Sequence, residues 1–449
     1  MRFLLLSATT LILTGCFATG QNYNTPQQPE KWTEVHAELA DQTEIEALKS
    51  WWKKFEDPAL NTLIDLTLNG SPDIAIAHAR VNEARGLRRT ARGSLFPQIS
   101  ASTAGGREDN GQGLDNFYDA RFDASFELDI FGQNRNTFRA ADSQLESLIA
   151  SYHDTTLTLI AEVARTYIDF RAAEKQVAIA KKNLDIQQKT LDLIIQQKEL
   201  GEAPQLDVDR SETLVNTTRA SIPEFQRLAD NARLRLTVLT GVLPAALEPT
   251  LSELAEIPGA NVQPVLMAPA EVLRIRPDIR AAEANFQAST SLAKAATAEI
   301  FPQLTLSGFF GAADNALFSS TRIWEVALGA AVSLIDFGRI EGAIDAARAV
   351  ETVAYETYRK SILEAVTEVE TALVDYARIN EQRISLDKAY ENADHALKLS
   401  QDLFREGEIS FIDVLDAQRT VNEADSALVS AEAAQAESLI RLYKSLGVY

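Results

Sequence analysis

The chain is written twice, and any fold proposed for it has to use the same unit two times. The stretch GSLFPQISAS, residues 93–102, returns as AEIFPQLTLS at 298–307, an offset of 205. Ser71-Pro72-Asp73-Ile74 matches Arg276-Pro277-Asp278-Ile279 at the same offset. After a one-residue insertion the offset becomes 206. It then pairs Phe131-Gly132 with Phe337-Gly338, Glu162-Val163 with Glu368-Val369, Gly201-Glu202 with Gly407-Glu408, and Gly241-Val242 with Gly447-Val448. A fixed long period marks one supersecondary unit repeated, which overrides the domain count that 449 residues would suggest. The copies span 71–244 and 276–449. A connector over 245–275 carries Pro249, Pro258, Pro264 and Pro269, and a tail over 16–70 contains Trp51-Trp52, expected to pack rather than to bind.

Each copy reads as helix, two strands, long helix and return helix. Pro72 and Pro277 sit where a first helical turn tolerates proline, and the Asp that follows each suits the positive end of the helix dipole. Pro97 and Pro302 are expected to end those helices, so that FPQ is the switch into strands over about 97–130 and 302–337. In YDARFDASFELD the residues Tyr118, Ala120, Phe122, Ala124, Phe126 and Leu128 alternate with Asp119, Arg121, Asp123, Ser125, Glu127 and Asp129. From Trp324 to Leu334 the even positions are apolar in the same way. Strands of about ten residues with one apolar and one wet face suit a transmembrane barrel with an aqueous lumen. A soluble sandwich shares the pattern. Four strands cannot close alone, and an open edge cannot stand in hydrocarbon, so other subunits must complete the barrel.

Between Gly132 and Gly201, and between Gly338 and Gly407, run two segments without proline, the first also without glycine and the second broken only by Gly342. They predict helices over about 133–200 and 339–406, each about 100 Å long at 1.5 Å per residue. Apolar residues recur along the first with heptad spacing, from Phe138 through Leu145, Tyr152 and Val163 to Leu191, which also fits a plain coiled coil. Return helices are expected over about 204–240 and 410–446. Gly201 and Gly407 are read as turn residues.

The first sixteen residues, MRFLLLSATTLILTGC, show Arg2, an apolar run too short to span a bilayer as a helix, and small residues before Cys16. This predicts a signal peptide over 1–15. A lipobox would make Cys16 the lipid-modified first residue of the mature chain, and position 17 is not the Asp of an inner-membrane retention signal. A net charge of −21 does not suit nucleic acid. Cys16 is the one cysteine, and His36, His78, His153 and His395 lack metal-ligand spacing, so neither a metal nor another cofactor is expected beyond the lipid. No phosphate loop or nucleophile elbow points to an enzyme.

Taken together, WWKKFEDPALNTLI, the paired PDI and FPQ motifs, FELDIFG and VSLIDFG, IDVLDAQ and LTG resemble the TolC-like outer-membrane efflux proteins, in their lipoprotein branch, over nearly the whole mature chain. The resemblance implies a mainly α fold with transmembrane β. It would be a homotrimer with a twelve-stranded barrel in outer-membrane lipid, continuous with a twelve-helix periplasmic tunnel. It also implies a periplasmic adaptor and an inner-membrane transporter of the RND type as partners, with the tips at Gly201, Glu202, Gly407 and Glu408 as adaptor contacts. Such a tunnel closes at its periplasmic tip. In REGEISFIDVLDAQ, Asp413 and Asp416 lie three apart and share a helix face, so threefold symmetry would make two carboxylate rings. Asp413 also fits a capping box with Ser410, and its copy-one counterpart Asp207 is expected to cap similarly; the counterpart of Asp416 is Arg210. Phe404 and Arg405 precede that turn, and Asp119, Asp123 and Glu127 would keep the lumen wet. A trimeric coiled-coil adhesin without a pore is the alternative.

Overall fold

A computed structural model describes residues 23, 29, 31–33, 40–42, 48–109, 114–252, 255–259, 262, 264–315 and 318–449. Cys16 and the leader lie outside the described residues. The first repeat contains α2 (Pro72–Gly93), β2 (Gln98–Asp109), β3 (Leu114–Glu127), α3 (Gln133–Glu199) and α4 (Gln205–Thr240). The second repeats that order as α7 (Pro277–Ala298), β5 (Gln303–Asn315), β6 (Phe318–Ala331), α8 (Arg339–Arg405) and α9 (Phe411–Ser445). The remaining elements are β1 (Ala40–Gln42), α1 (Pro58–Gly70), α5 (Pro244–Leu251), β4 (Val265–Leu266) and α6 (Pro269–Ile275).

Proline punctuates the chain as its fixed φ requires. Five helices, α1, α2, α5, α6 and α7, start on one, where the missing N–H costs nothing. The strands start within FPQ, at Gln98 and Gln303, but the helices before them end slightly earlier than the FPQ reading placed them. α2 stops at Gly93 and α7 at Ala298, several residues before Pro97 and Pro302, because a 3₁₀-like turn closes each helix first (Leu95 N–H to Arg92 O, 3.1 Å; Phe301 N–H to Ala298 O, 3.1 Å). β6 ends at Ala331, so Val332 and Leu334 lie beyond the strand. α4 runs through Pro223, a position where the interior ladder must go without one donor.

The two long helices are 67 residues each, about 100 Å. Each begins at a glycine in the left-handed region, Gly132 and Gly338, both at φ 86°. Just upstream a carboxylate holds the first free N–H groups. Asp129 accepts from Asn134 (3.2 Å) and Arg135 (2.8 Å), and Asp336 from Gly338 (3.1 Å) and Ile340 (2.9 Å). The short helices stack end to end beside the long ones. Gly241, which closes α4 at φ 73°, lies so near Gly70 O that a Cβ would come within 2.2 Å of it, which places the end of α4 at the start of α2. Gly447 meets Arg276, the N-cap of α7, in the same way. α2 and α4 pack on α3, α3 packs on α7 and α9, and both of those pack on α8. The order across the wall is therefore α2/α4, α3, α7/α9, α8.

Where the rods meet α1 and the connector, the largest core forms. Trp51 is buried and stacks on Tyr443 at 5.5 Å with an interplanar angle of 14°. A buried polar chain ties the N-terminal segment to α3. Asp57 caps α1 through Leu60 N–H (2.9 Å) and accepts from Tyr167 Oη (2.8 Å), which accepts in turn from Arg171 Nε (2.9 Å). Every member has a partner, which is what burial of such groups demands. β1 and β4 pair in parallel at this level.

The four long strands form one antiparallel sheet in the order β2-β3-β5-β6. Residues opposite one another share a face, and the register sorts them cleanly. Phe122 pairs with Ala101 and Phe310, and Phe310 with Trp324; Ala124 pairs with Ile99 and Gly308; Phe126 pairs with Leu306, and Leu306 with Leu328. All of these lie on one apolar face. The other carries Ser102, Asp119, Arg121, Asp123, Ser125, Glu127, Thr305, Ser307 and Glu325. Among the described residues no helix is long and apolar enough to cross a membrane.

Candidate functional site

Two regions hold the residues singled out in the sequence: the far ends of the helical hairpins and the polar face of the sheet. At the first, α3 and α8 both end on a glycine with positive φ, Gly201 at 80° and Gly407 at 75°. Each turn then closes with the same pair of bonds. Gly201 N–H donates to Lys198 O (2.9 Å) and Glu202 N–H to Gln197 O (2.8 Å); Gly407 N–H donates to Phe404 O (3.0 Å) and Glu408 N–H to Leu403 O (2.9 Å). This is the Schellman pattern, in which an αL residue lets the last carbonyls find partners. A Cβ on either glycine would meet nothing within 4 Å, so backbone conformation and not space demands glycine there.

The two hairpin ends lie side by side. Leu191 and Ile194 of α3, Val208 and Val215 of α4, and Phe411, Val414 and Leu415 of α9 bury one another in a single cluster. Phe404 packs on Phe411 at 5.5 Å, and Gln418 Nε2 donates to Thr190 Oγ1 at 3.0 Å, joining α9 to α3. Arg405 pairs with Asp402 at 2.8 Å instead of reaching across the turn.

Asp413 and Asp416 are both exposed on the first turns of α9 but are held differently. The carboxylate of Asp413 accepts the N–H of Ser410 at 3.0 Å, the back half of a capping box. Asp416 instead accepts from Arg419 at 2.7 Å, with both side chains about two-thirds exposed. An exposed i,i+3 pair of this kind stabilises by only about 0–1 kcal/mol, so Arg419 holds Asp416 loosely. Asp207 departs from its expected role for a simple reason. The residue in the N-cap position of α4 is Pro204, which has no N–H to donate, and Asp207 faces Arg210 at 3.6 Å.

On the polar face of the sheet, Arg121 lies between Asp119 (3.8 Å) and Asp123 (3.2 Å) and over the Phe309 ring at 5.8 Å. Its Nε also donates to Ser102 Oγ (3.3 Å), and that hydroxyl donates to Asp123 Oδ2 (2.8 Å). The alternation in β3 singled out the charges and missed Ser102 and Phe309, which only the register with β2 and β5 brings to them. Asp129 and Asp336 were also missed as anchors of the long helices; an Asp two or three residues before a φ-positive glycine is the signal that would have found them.

Such geometry, two matched hairpin ends beneath a two-faced sheet with open edges, has close counterparts. The family described as "Outer membrane efflux protein" matches residues 63–242 and again 268–448, once per repeat. The chain is 31% identical to the pyoverdine export outer membrane protein OpmQ of Pseudomonas aeruginosa, over 100% of this chain and 97% of that protein. It is 30% identical to the toluene efflux pump outer membrane protein TtgC of Pseudomonas putida, over 98% and 94%. Among solved structures the outer-membrane channel OprN superposes with a TM-score of 0.89 at 32% identity, over 96% of this chain and 99% of that one. CusC, at 23% identity and a TM-score of 0.83, shares the fold. The chain belongs to the outer membrane efflux protein family and resides in the outer membrane of a Gram-negative cell.

Proposed function

We propose that three copies of the chain assemble into an outer-membrane exit duct that conducts small molecules passively and is closed at its far end by Asp413 and Asp416. The observation that carries this is the sheet. β2 and β6 are its unpaired edges, and they run in opposite directions. Its apolar face is uncovered, with Phe122 61%, Phe310 59%, Trp324 73% and Leu328 68% exposed. Joining β6 of one copy antiparallel to β2 of the next removes every edge after three copies, giving twelve strands with an apolar outside and a charged lumen. The helical wall has matching open sides. Leu228, Leu234 and Val238 on α4 and Val350, Val353 and Leu363 on α8 are exposed, on the two rods at opposite ends of the row. Three such walls make a tunnel of twelve rods.

Threefold symmetry would bring the exposed carboxylates of Asp413 and Asp416 together at the hairpin ends. Rings of like charge in a narrow passage resist close approach and draw cations. The turns at Gly201-Glu202 and Gly407-Glu408 are the outermost backbone and offer the surface for a periplasmic adaptor, which would join the duct to an inner-membrane transporter of the RND class. Relatives about equally similar are named for pyoverdine and for toluene. Likeness at this level does not track cargo, which supports a permissive duct whose substrate is chosen by its partners. Lipidation of Cys16 fits the reach of the chain. Tyr23 packs on Phe286 of α7 at 5.1 Å, twelve residues or about 18 Å below the end of that helix. The seven residues from Tyr23 back to Cys16 span up to about 24 Å extended, enough to meet the membrane.

Planar-bilayer recording of the purified protein tests the duct. Steady ion conductance that rises when Asp413 and Asp416 are replaced by Ala is expected, and a silent protein would favour a pore-free surface trimer instead.

A further inference from the structure

Between the sheet and the belt lies a cavity that conduction leaves unused. Tyr23, Phe286 of α7 and Tyr355 of α8 contact one another with ring centroids 4.4 to 5.6 Å apart. Beside them opens a cavity of about 630 Å³ lined by Tyr23, Phe286, Thr290, Glu351, Arg139 and Lys294, among others. Glu351 is only 8% exposed, and Thr290 Oγ1 donates to its Oε1 at 3.0 Å. Among the described residues no Lys, Arg or His side chain pairs with it. A carboxylate taken out of water without a cation is costly unless something supplies one. Aromatic faces next to a carboxylate make the combination that recognises an ammonium group.

The height of the cavity narrows the choice. Lys294 is four residues, about 6 Å, from the sheet end of α7, and Arg139 is six residues, about 9 Å, from the sheet end of α3. If the sheet is the membrane-spanning part, as proposed above, these cations sit at the depth of lipid phosphates in the inner leaflet, and the Tyr23–Phe286 pair lies further from the membrane. Asp142, the remaining acid on the rim, is already taken by Arg88.

We propose that this cavity binds the headgroup of an ethanolamine phospholipid, with the primary ammonium on Glu351 and the Tyr23 and Phe286 rings, and the phosphate on Lys294 and Arg139. A choline headgroup has no N–H to give Glu351, and a glycerol headgroup has no cation. The site would also order the wall just below the barrel, because α3, α7 and α8 all contribute to it.

The full-length protein is reconstituted into vesicles holding ethanolamine, choline and glycerol phospholipids in equal amounts. It is then released in mild detergent and weighed by native mass spectrometry. Retention of the ethanolamine lipid about tenfold over the glycerol lipid is expected, consistent with one charge-assisted hydrogen bond. In Glu351→Gln, which keeps the shape and the bond from Thr290, the preference should fall to near parity with conductance unchanged. Phe286→Leu, which keeps the acid, should lower it by a smaller factor. Equal retention of the three classes, or an unchanged preference in Glu351→Gln, overturns the site. Free phosphoethanolamine added without lipid separates the sources: adducts of the soluble compound with no lipid preference would overturn the lipid assignment. Conductance of the same vesicles tests the barrel separately, and vesicles without it would sink the membrane reading and this site with it.

Discussion

The two hairpin ends share one backbone and differ in charge. Both turn on a φ-positive glycine with the same two bonds, and both return helices carry an Asp three residues after the N-cap position. In the first repeat the helix is preceded by Pro204, which cannot donate, so Asp207 turns to Arg210. The second has Ser410 in that place, which engages Asp413, while position 416 is acid where its counterpart 210 is base. Duplication supplied two equivalent scaffolds, and divergence at two positions left the Asp413 and Asp416 carboxylates exposed on the second, where the first has the half-buried Asp207 beside Arg210. The proposed gate carboxylates at 413 and 416 therefore belong to the second repeat.

Breaking that asymmetry should have its largest effect on conduction. Asp413→Ala with Asp416→Ala should raise resting conductance severalfold and weaken divalent-cation block, since carboxylates are the preferred ligands of such ions. The matched change in the first repeat, Asp207→Ala, should leave both near wild type. Equal responses from the two repeats in bilayer recordings would remove the asymmetry. Gly201→Ala and Gly407→Ala should each cost about 1–2 kcal/mol of stability, because both force a Cβ into the left-handed region. The costs should be alike at the two ends, read from paired thermal melts, because the backbone there is shared.

Ser410→Pro copies the first repeat into the second. Ser410 already has φ −80° and ψ 152°, which proline adopts, so the lost bond to Asp413, about 0.5–1.5 kcal/mol, is partly offset by a stiffer unfolded chain. Stability should change by less than about 1 kcal/mol while conductance shifts, and a large loss of stability would show that Ser410 does more than cap. Asp416→Asn should have the smallest thermal effect, below about 1 kcal/mol, because the pair with Arg419 is exposed.

The repeats diverge again nearer the belt. Arg441 pairs with Asp375, whereas its counterpart Arg235 pairs with Glu162 and leaves Asp169 facing Glu437 across the seam of α3 and α9. Burial first, then the charge of Asp169, raises the Glu437 carboxyl to about 7, against the relief of Arg165 and Arg441. A folded-state value above the ordinary one means that this group stabilises the fold fully below about pH 4.5. That stabilisation is lost as pH rises through about 7. Glu437→Gln should flatten this part of the pH dependence of melting, and an unchanged profile would show that the pair does not titrate there.

Much of the architecture could be read from local signals. Proline at helix starts, the glycine-free runs and the alternation from Tyr118 to Leu128 act within a turn or a strand, so the sequence displays them directly. Contacts between distant segments left no such trace. The pairing of β1 with β4, the chain from Asp57 through Tyr167 to Arg171, and the meeting of Ser102 with Arg121 depend on register and packing across long separations. The acids near the second turn were legible as residues, but the reason Asp207 fails to cap lay one helix turn upstream, in Pro204.

Copy number tests the central claim most directly, because one chain holds a sheet with two raw edges and an uncovered apolar face. The mass of the detergent-extracted, full-length protein should be that of three chains and should persist on dilution. A stable single chain under the same conditions would contradict the account.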